Sequence, residues 1–248
     1  MPKVSINILT KNRSALLRKA LESVARQSFK EYEVIVVDDG SADETVKVLQ
    51  DYKITKLKDL QIINHQQSFG ITKSRQEALE ASIGEYVAIL DDDDEWMDID
   101  KISKQVKFLN GHPNYVLVGG GIVIEGLKDL KIERFRSETD RSIRNWMLIK
   151  NSFFTSTVMF RREAAIKAGG FVKDEIDLGE DYDLWLRMGK LGKMYNFKEA
   201  FTLYAKPSYN KEKFKAFLQK QLYLIYRHKD DYPWHFLASL ILKIRLWF

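Results

Sequence analysis

Four consecutive aspartates, Asp91 to Asp94, stand directly after a short apolar run, Tyr86 to Leu90. That run has the length and composition of a buried strand. Two like charges about 4 Å apart repel by roughly 4 kcal/mol at an effective dielectric near 20. A fold that gathers such charges at a strand end therefore normally supplies a cation. The chain has no cysteine, which excludes a disulfide framework and a thiolate metal site. Oxygen-only ligands point to Mg2+ or Mn2+, with Ca2+ behind them. The plainer alternative is a solvated acidic loop ahead of a helix N-terminus, where carboxylates are favoured in any case.

The chain before this run alternates. Val4–Leu9, Glu33–Val37, Leu60–Asn64 and Tyr86–Leu90 read as strands, and Ser14–Arg26, Ala42–Tyr52 and Ile71–Ala81 as helices. In the first helix Leu17, Ala20, Leu21 and Val24 fall at helical spacing. Ser41 followed by Glu44 matches a capping box for the second. Such a β-α-β-α-β-α-β order predicts a parallel sheet with helices on both faces. Ligands of these sheets bind outside the carboxyl ends of the strands. Thr10-Lys11-Asn12, Asp38-Asp39 and the aspartate run all fall there.

Length and composition set the frame. At 248 residues with 45% apolar content, the chain suits one large α/β domain or a domain with an appendage. The opening stretch MPKVSINILTKNR has a strand pattern, not that of a signal peptide, so a cytoplasmic protein is the expectation. The net charge of +5 is uneven: residues 206–248 hold nine Lys/Arg against Glu212, Asp230 and Asp231, a surplus of +6, which leaves −1 for the first 205 residues. A body without a basic face argues against nucleic acid as a partner.

Glycine loops that cradle phosphates are missing. No G-x-G-x-x-G follows the first strand, and Gly121 to Gly126 continues with Leu127-Lys128 where a P-loop needs Lys-Ser/Thr. An EF-hand counted from Asp91 would place Trp96 at the required glycine and Ile102 at the bidentate Glu. Any nucleotide phosphates must then be held by metal and basic side chains.

The segments VSINILTKNR, VIVVDDGSADET, YVAILDDDDEW, FFTSTVMFRREAAIKAGGF and GEDYDLWLRMG, with Arg75 on the third helix, together resemble the family 2 glycosyltransferases. The likeness covers roughly residues 1–205 and implies an α/β GT-A fold, Rossmann-like and mostly parallel, with a nucleotide-binding half over 1–98 and an acceptor half over 99–205. It implies inverting transfer of a sugar from a UDP-sugar donor to a saccharide, glycoprotein or lipid-linked acceptor hydroxyl. Mn2+ or Mg2+ on the diphosphate is part of that expectation. By position, Thr10 and Asn12 meet the nucleotide, Asp39 takes the uracil ring, and Arg75 lies near the nucleotide and diphosphate. Asp92 falls on the ribose side, while Asp93, with Asp91, is assigned to the metal. A carboxylate suits uracil, because it accepts from N3–H, a proton that cytosine lacks.

Beyond the fourth strand, Asp100–Asn110 and Arg141–Lys150 read as helices, and Val116–Ile124 and Asn151–Phe160 carry strands. Gly119–Gly121 permit a close backbone approach, and Gly169-Gly170 stops a helix. Within GEDYD, Asp181 matches the general base that single-displacement transfer requires. Glu180, Asp183 and Trp185 are candidates for orienting that base or the acceptor. An acid-rich helix N-terminus is the alternative reading of these charges. Many relatives carry a His after the following strand, whereas Phe201–Asn210 has none, which leaves Lys206 or Tyr209 to take its part.

The tail, 206–248, differs in kind. It holds ten of the thirty aromatic residues, and Phe214, Phe217, Leu218, Leu222, Ile225 and Tyr226 follow helical spacing. Trp234–Phe248 is apolar but, at 15 residues, falls short of the roughly 20 that span a bilayer. Two readings of this basic, aromatic helical tail remain open: peripheral contact with the inner face of an anionic membrane, or homo-oligomer packing. For the whole chain, the alternatives to an active transferase are a non-catalytic sugar-nucleotide-binding homologue and a metal-dependent membrane-binding module.

Overall fold

The computed structural model describes residues 2–57, 59–125, 131–172, 178–205 and 211–247. The expected alternation is present as β1 (Val4–Thr10), α1 (Ser14–Ala25), β2 (Tyr32–Asp38), α2 (Thr45–Thr55), β3 (Leu60–Asn64), α3 (Ile71–Ala81) and β4 (Tyr86–Asp91). β1 pairs in parallel with β2 and β4, and β2 with β3. Helices cover both faces, so the central strands are buried throughout, which is why they are apolar runs and not alternating patterns. The register sets Thr10 beside Asp38 and Leu9 beside Asp91, so the polar strand ends meet at one edge.

The chain continues with β5 (Glu95–Trp96), α4 (Lys101–Gly111), β6 (Tyr115–Glu125), β7 (Lys131–Arg134), α5 (Asp140–Trp146), β8 (Met159–Arg161), α6 (Arg162–Lys167), α7 (Glu180–Met188) and β9 (Lys193–Tyr204). These strands extend the sheet in the order β3-β2-β1-β4-β8-β6-β9-β5, with β7 beside β6. β8 runs antiparallel to β4 and β6, while β6 is parallel to β9. The sheet is thus parallel in its first half and mixed in its second. Gly119, Gly120 and Gly121 do mark a close approach: a Cβ there would collide with Asn196, Phe201 and Phe135 respectively. Gly169 and Gly170 end α6 with φ of +92° and +65°, the Gly170 amide donating to the Ala165 carbonyl at 2.9 Å.

Three local expectations are corrected. The second helix begins at Thr45, because the Ser41 hydroxyl accepts the Asn12 amide (2.8 Å) instead of capping, and Asp43 accepts the Thr45 amide (3.0 Å). The helix expected over Arg141–Lys150 is the shorter α5, started by a Thr139–Ser142 capping box. Asn151–Phe160 contributes strand only from Met159. Asn151 accepts its local Phe153 amide and Thr157 donates to the Phe154 carbonyl (2.7 Å), so this stretch closes a 3-10 turn at Thr155–Thr157.

The tail forms α8 (Lys211–Arg227) and α9 (His235–Trp247). It is built into the body. Leu218, Leu224 and Ile225 of α8 and Ala238 and Leu242 of α9 share one buried cluster with Leu184, Trp185 and Met188 of α7. Asp183 of α7 accepts from Arg187 Nε at 2.8 Å and lies 3.4 Å from Arg227 and 3.2 Å from His228 of the tail. Tyr232 Oη donates to the Leu186 carbonyl at 2.7 Å. Lys206 and Tyr209 lie outside the described residues. Leu224→Ala is expected to cost about 2–5 kcal/mol in urea unfolding, through lost burial plus a cavity. Leu240→Ala, at an exposed position of α9, should stay within about 0.5 kcal/mol of wild type.

Candidate functional site

A cleft of about 540 Å³ opens where the carboxyl ends of β1, β2 and β4 meet. Thr10, Lys11 and Arg13 line it from the first loop, Asp39 from the second, Ser74 and Arg75 from α3, and Asp91, Asp92 and Asp93 from the fourth. Tyr204 and Ala205, at the end of β9, close its far side.

Asp39 is held from several directions. It accepts from the Phe69 amide (2.7 Å), the Gly70 amide (3.1 Å), a His65 ring nitrogen (2.8 Å) and the Ser68 hydroxyl. Burial alone would raise its pKa, but these hydrogen bonds to Ser68, His65 and the two amides outweigh it and bring it down to about 2. Asp39 is accordingly an ionised acceptor at the cleft wall.

The four aspartates have four different environments. Asp91 Oδ1 accepts from Arg75 (2.8 Å), and the Asp91 amide donates to Ser156 Oγ (3.0 Å). Asp92 is buried, and burial pushes its pKa up to about 6 against the pull of Thr10 and Arg13. Asp93 is also raised, by burial and then by the Asp91 charge. One Arg13 nitrogen bridges Asp92 (2.9 Å) and Asp93 (3.0 Å). Asp94 faces inward, taking the Ser156 hydroxyl and the Ala205 amide (2.8 Å), with its pKa raised by burial. The tight turn, closed by the Asp94 amide on the Asp91 carbonyl (3.1 Å), is what separates these orientations.

Arg75 joins the two halves of the molecule. Its Nε donates to Glu180 Oε1 at 2.7 Å and its second terminal nitrogen to Asp91 Oδ1 at 2.8 Å, with only 5% of the residue exposed. Burial opposes its charge, but Asp91, Glu180 and Asp181 hold the pKa above the ordinary arginine value. Glu180 is raised by burial, less the pull of Arg75. The next residue, Asp181, accepts from Thr155 Oγ1 (2.5 Å) and from the Tyr182 amide (2.6 Å). Gly179, at φ +70°, starts this helix in a left-handed conformation.

The remaining candidates lie elsewhere. Asn12, at φ +53°, accepts the Ala42 amide on its side-chain Oδ1 (2.7 Å) and ties the first loop to the second. Asp183 anchors the tail, and Trp185 is fully buried beside Phe160, with ring centroids 5.4 Å apart. Sequence reasoning missed Arg13, Ser156 and the Tyr204-Ala205 edge. Arg13 had a signal, a cation one residue past Thr10-Lys11-Asn12 and opposite an acidic run; Ser156 and Ala205 had none.

Among the described residues, no group of three His, Asp or Glu side chains converges to hold a cation unaided. Asp91 and Asp93 line the cleft as oxygen donors from one turn. That donor set fits a divalent cation of the Mg2+ or Mn2+ kind, which takes one or two carboxylates and completes its shell with substrate phosphates and water.

A parallel half-sheet with acidic strand ends, joined to a mixed half-sheet, is the GT-A arrangement of nucleotide-sugar transferases. Solved structures bear this out: Staphylococcus aureus TarS 1-349 in complex with UDP-GlcNAc aligns at TM-score 0.72 and 20% identity over 90% of this chain and 66% of that one. The mannosyltransferase PcManGT of Pyrobaculum calidifontis, in complex with GDP-Man and Mn2+, aligns at 0.72 and 20% identity over 99% and 70%. The sequence profile of glycosyl transferase family 2 matches residues 5–169, and the chain belongs to that family. Similar proteins include the putative teichuronic acid biosynthesis glycosyltransferase TuaG of Bacillus subtilis, 29% identical over 91% of this chain and 88% of that protein. The GalNAc(5)-diNAcBac-PP-undecaprenol beta-1,3-glucosyltransferase of Campylobacter jejuni is 30% identical over 82% and 65%. The chain spans about half the length, 47%, of a similar Mycobacterium tuberculosis protein, to which it is 30% identical.

Arg75→Met would leave Asp91 and Glu180 without their shared cation. A loss of about 3–5 kcal/mol is expected in chemical unfolding at pH 7. Arg75→Lys should restore only part of it, since an ammonium lacks the planar fork that reaches two carboxylates at once.

Proposed function

We propose that this chain catalyses inverting transfer of a sugar from a UDP-linked donor to an acceptor hydroxyl, with Asp181 as general base. The observation that carries the reading is the Arg75 bridge, which ties an aspartate of the cleft to the residue beside Asp181. Donor phosphates would lie among Lys11, Arg13 and Arg75. The base would lie against Asp39. That carboxylate has about four acceptor positions, all filled; the Ser68 hydroxyl is the donor that rotates away, so N3–H of uracil enters in its place. Asp91 and Asp93 would hold Mn2+ or Mg2+, which when bound offsets the charge of the diphosphate. Asp181 takes the proton of the acceptor hydroxyl while that oxygen attacks the anomeric carbon. The bond from that carbon to the diphosphate oxygen breaks on the opposite face, and its electron pair leaves with the nucleoside diphosphate.

Calorimetric titration of UDP, GDP and CDP, with and without Mn2+, tests the donor half. UDP should bind selectively, Asp93→Ala should remove the metal effect, and Asp39→Ala the base selectivity. Asp181→Asn should retain UDP binding and lose about 10²-fold or more in turnover, the scale of a lost general base. Unselective binding of divalent metal alone would favour the metal-dependent binding module, and UDP-sugar binding without turnover on any saccharide acceptor the non-catalytic homologue.

We further propose a lipid-linked acceptor and a peripheral seat on an anionic membrane. No helix among the described residues is long and apolar enough to cross a bilayer. On α9, Phe236 (81% exposed), Leu237, Leu240 and Ile244 are all solvent-facing. At about 100° per residue they occupy an arc of roughly 100°, with exposed Lys243 and Arg245 on its two sides. The helix has no acid. An apolar stripe with flanking cations suits the headgroup boundary of an anionic bilayer more than a second copy of the same basic helix. Wild type should float with phosphatidylglycerol liposomes and not with phosphatidylcholine alone. Phe236→Ser with Leu240→Ser should stay at the bottom of the gradient; a dimer by light scattering, lost in the same variant, would instead assign this face to self-association.

A further inference from the structure

His65 stands between two carboxylates. One ring nitrogen, Nδ1, is 2.8 Å from Asp39 Oδ1, and the other, Nε2, is 2.5 Å from Glu77 Oε2. Its side chain is 6% exposed. A neutral imidazole has one N–H and one lone pair, so it can donate to only one of these oxygens and would set its lone pair against the other. Both contacts are favourable together only when both nitrogens carry protons. We propose that His65 is a positioning residue for the donor base, an imidazolium clamped between Asp39 and Glu77 that fixes the Asp39 carboxylate against the cleft.

The charged groups facing the ring are few. Asp39 comes from the loop after β2, and Glu77 and Lys73 from α3, with Lys73 Nζ 3.6 Å from Glu77 Oε1. The Phe69 ring packs edge-on to the imidazole at 4.9 Å. Lys73 also lies over the Phe69 ring, 3.6 Å from its centroid. Burial disfavours the imidazolium, but the hydrogen bonds and charges of Asp39 and Glu77 outweigh it and raise the pKa above the ordinary histidine value. The linkage has a definite sign. The clamp stabilises the fold and the site fully below the pKa of a free imidazole, and this contribution is lost as pH rises through the elevated value.

This role is distinct from recognition itself. Asp39 is proposed to touch the base, whereas His65 lies behind it and is not among the residues that line the cleft. The clamp also explains why the middle of α3 carries a part-buried Glu77: its carboxylate is the second arm that keeps the ring charged. Glu77→Gln replaces that arm with a group that can donate to Nε2, so a neutral ring with Nδ1–H on Asp39 becomes acceptable and the imidazolium is no longer required. The inference rests on the reading of Asp39 as the base-binding residue, and its test separates the two.

The first readout needs no ligand. Ring 15N shifts of His65, followed by NMR from pH 5 to 9.5, should show an imidazolium at pH 7 and titration above the ordinary value of about 6.5. In Glu77→Gln the midpoint should fall. The second readout is calorimetric affinity for UDP with Mn2+ up to about pH 8.5, where the uracil keeps its N3–H. Wild-type affinity should decline through the midpoint seen by NMR, and Glu77→Gln should move that decline with its own midpoint. His65→Asn should bind UDP about tenfold more weakly, the scale of one lost charge-assisted hydrogen bond, with a flat profile from about pH 7 to 8.5, below the ionisation of the uracil N3–H. Thermal melting checks that both variants are folded; Glu77, being part-exposed, is the safer of the two. A neutral His65 at pH 7 in wild type would overturn the clamp. So would His65→Asn binding UDP within twofold of wild type with an unchanged pH profile. If wild type binds no nucleoside diphosphate while the NMR shows an imidazolium, the clamp stands and the donor-site reading fails.

Discussion

One buried guanidinium holds the working parts of this molecule in relation to each other. Arg75 comes from α3, yet its two donors reach Asp91 at the end of β4 and Glu180 at the start of α7, 105 residues away in sequence from Arg75. Glu180 and the guanidinium are both buried, and neither would be tolerable there without the other, while Asp91 meets the same cation from the part-exposed cleft. Each element therefore needs the other two, and the distance between the aspartate run and Asp181 is set by a rigid planar group. The two half-sheets are joined through the backbone pairing of β4 with β8, and this three-way contact adds a side-chain tie between them.

The acids around the cleft show how position sorts chemically identical side chains. Asp39 is kept ionised by two amides, a hydroxyl and a histidine, whereas Asp92 is pushed toward the neutral form by burial. Asp94 is turned into the interior and serves as a brace between Ser156 and the end of β9. Arg13 shares one nitrogen between Asp92 and Asp93, a contact that a divalent cation and a diphosphate would compete with.

The tail packs into the second half of the molecule instead of hanging from it. Asp183, one turn into α7, is satisfied by Arg187 on its own helix and by Arg227 and His228 from the tail, which together hold its carboxyl below the usual range against burial. The helix that presents Asp181 on one side is thus clamped by α8 on the other. Only one face of α9 is used for this packing. Its other face keeps the apolar and basic residues that the body does not need.

Much of this was legible in the chain. The apolar runs and their polar ends, the spacing of Leu17, Ala20, Leu21 and Val24, and the glycines at 119–121 and 169–170 predict strands, helices and close approaches from local sterics and burial alone. Ser41 misled because its hydroxyl takes a tertiary partner, the Asn12 amide, and Asn151–Phe160 because Asn151 and Thr157 bond locally and close a turn where a strand was expected. Asn12, Asp183 and Trp185 sit in motifs that attract a functional reading, but the direction of a side chain depends on what packs against it, which no local pattern contains. The sequence by itself determined the parallel half-sheet and the edge where its polar ends gather, because periodicity and composition are local properties of the chain, and its run of motifs carried the family resemblance. Only the tertiary structure decided that Arg75 spans the halves, that His65 lies between Asp39 and Glu77, and which of four aspartates face the cleft. Those are long-range pairings among charges, set by burial and distance after the fold has closed.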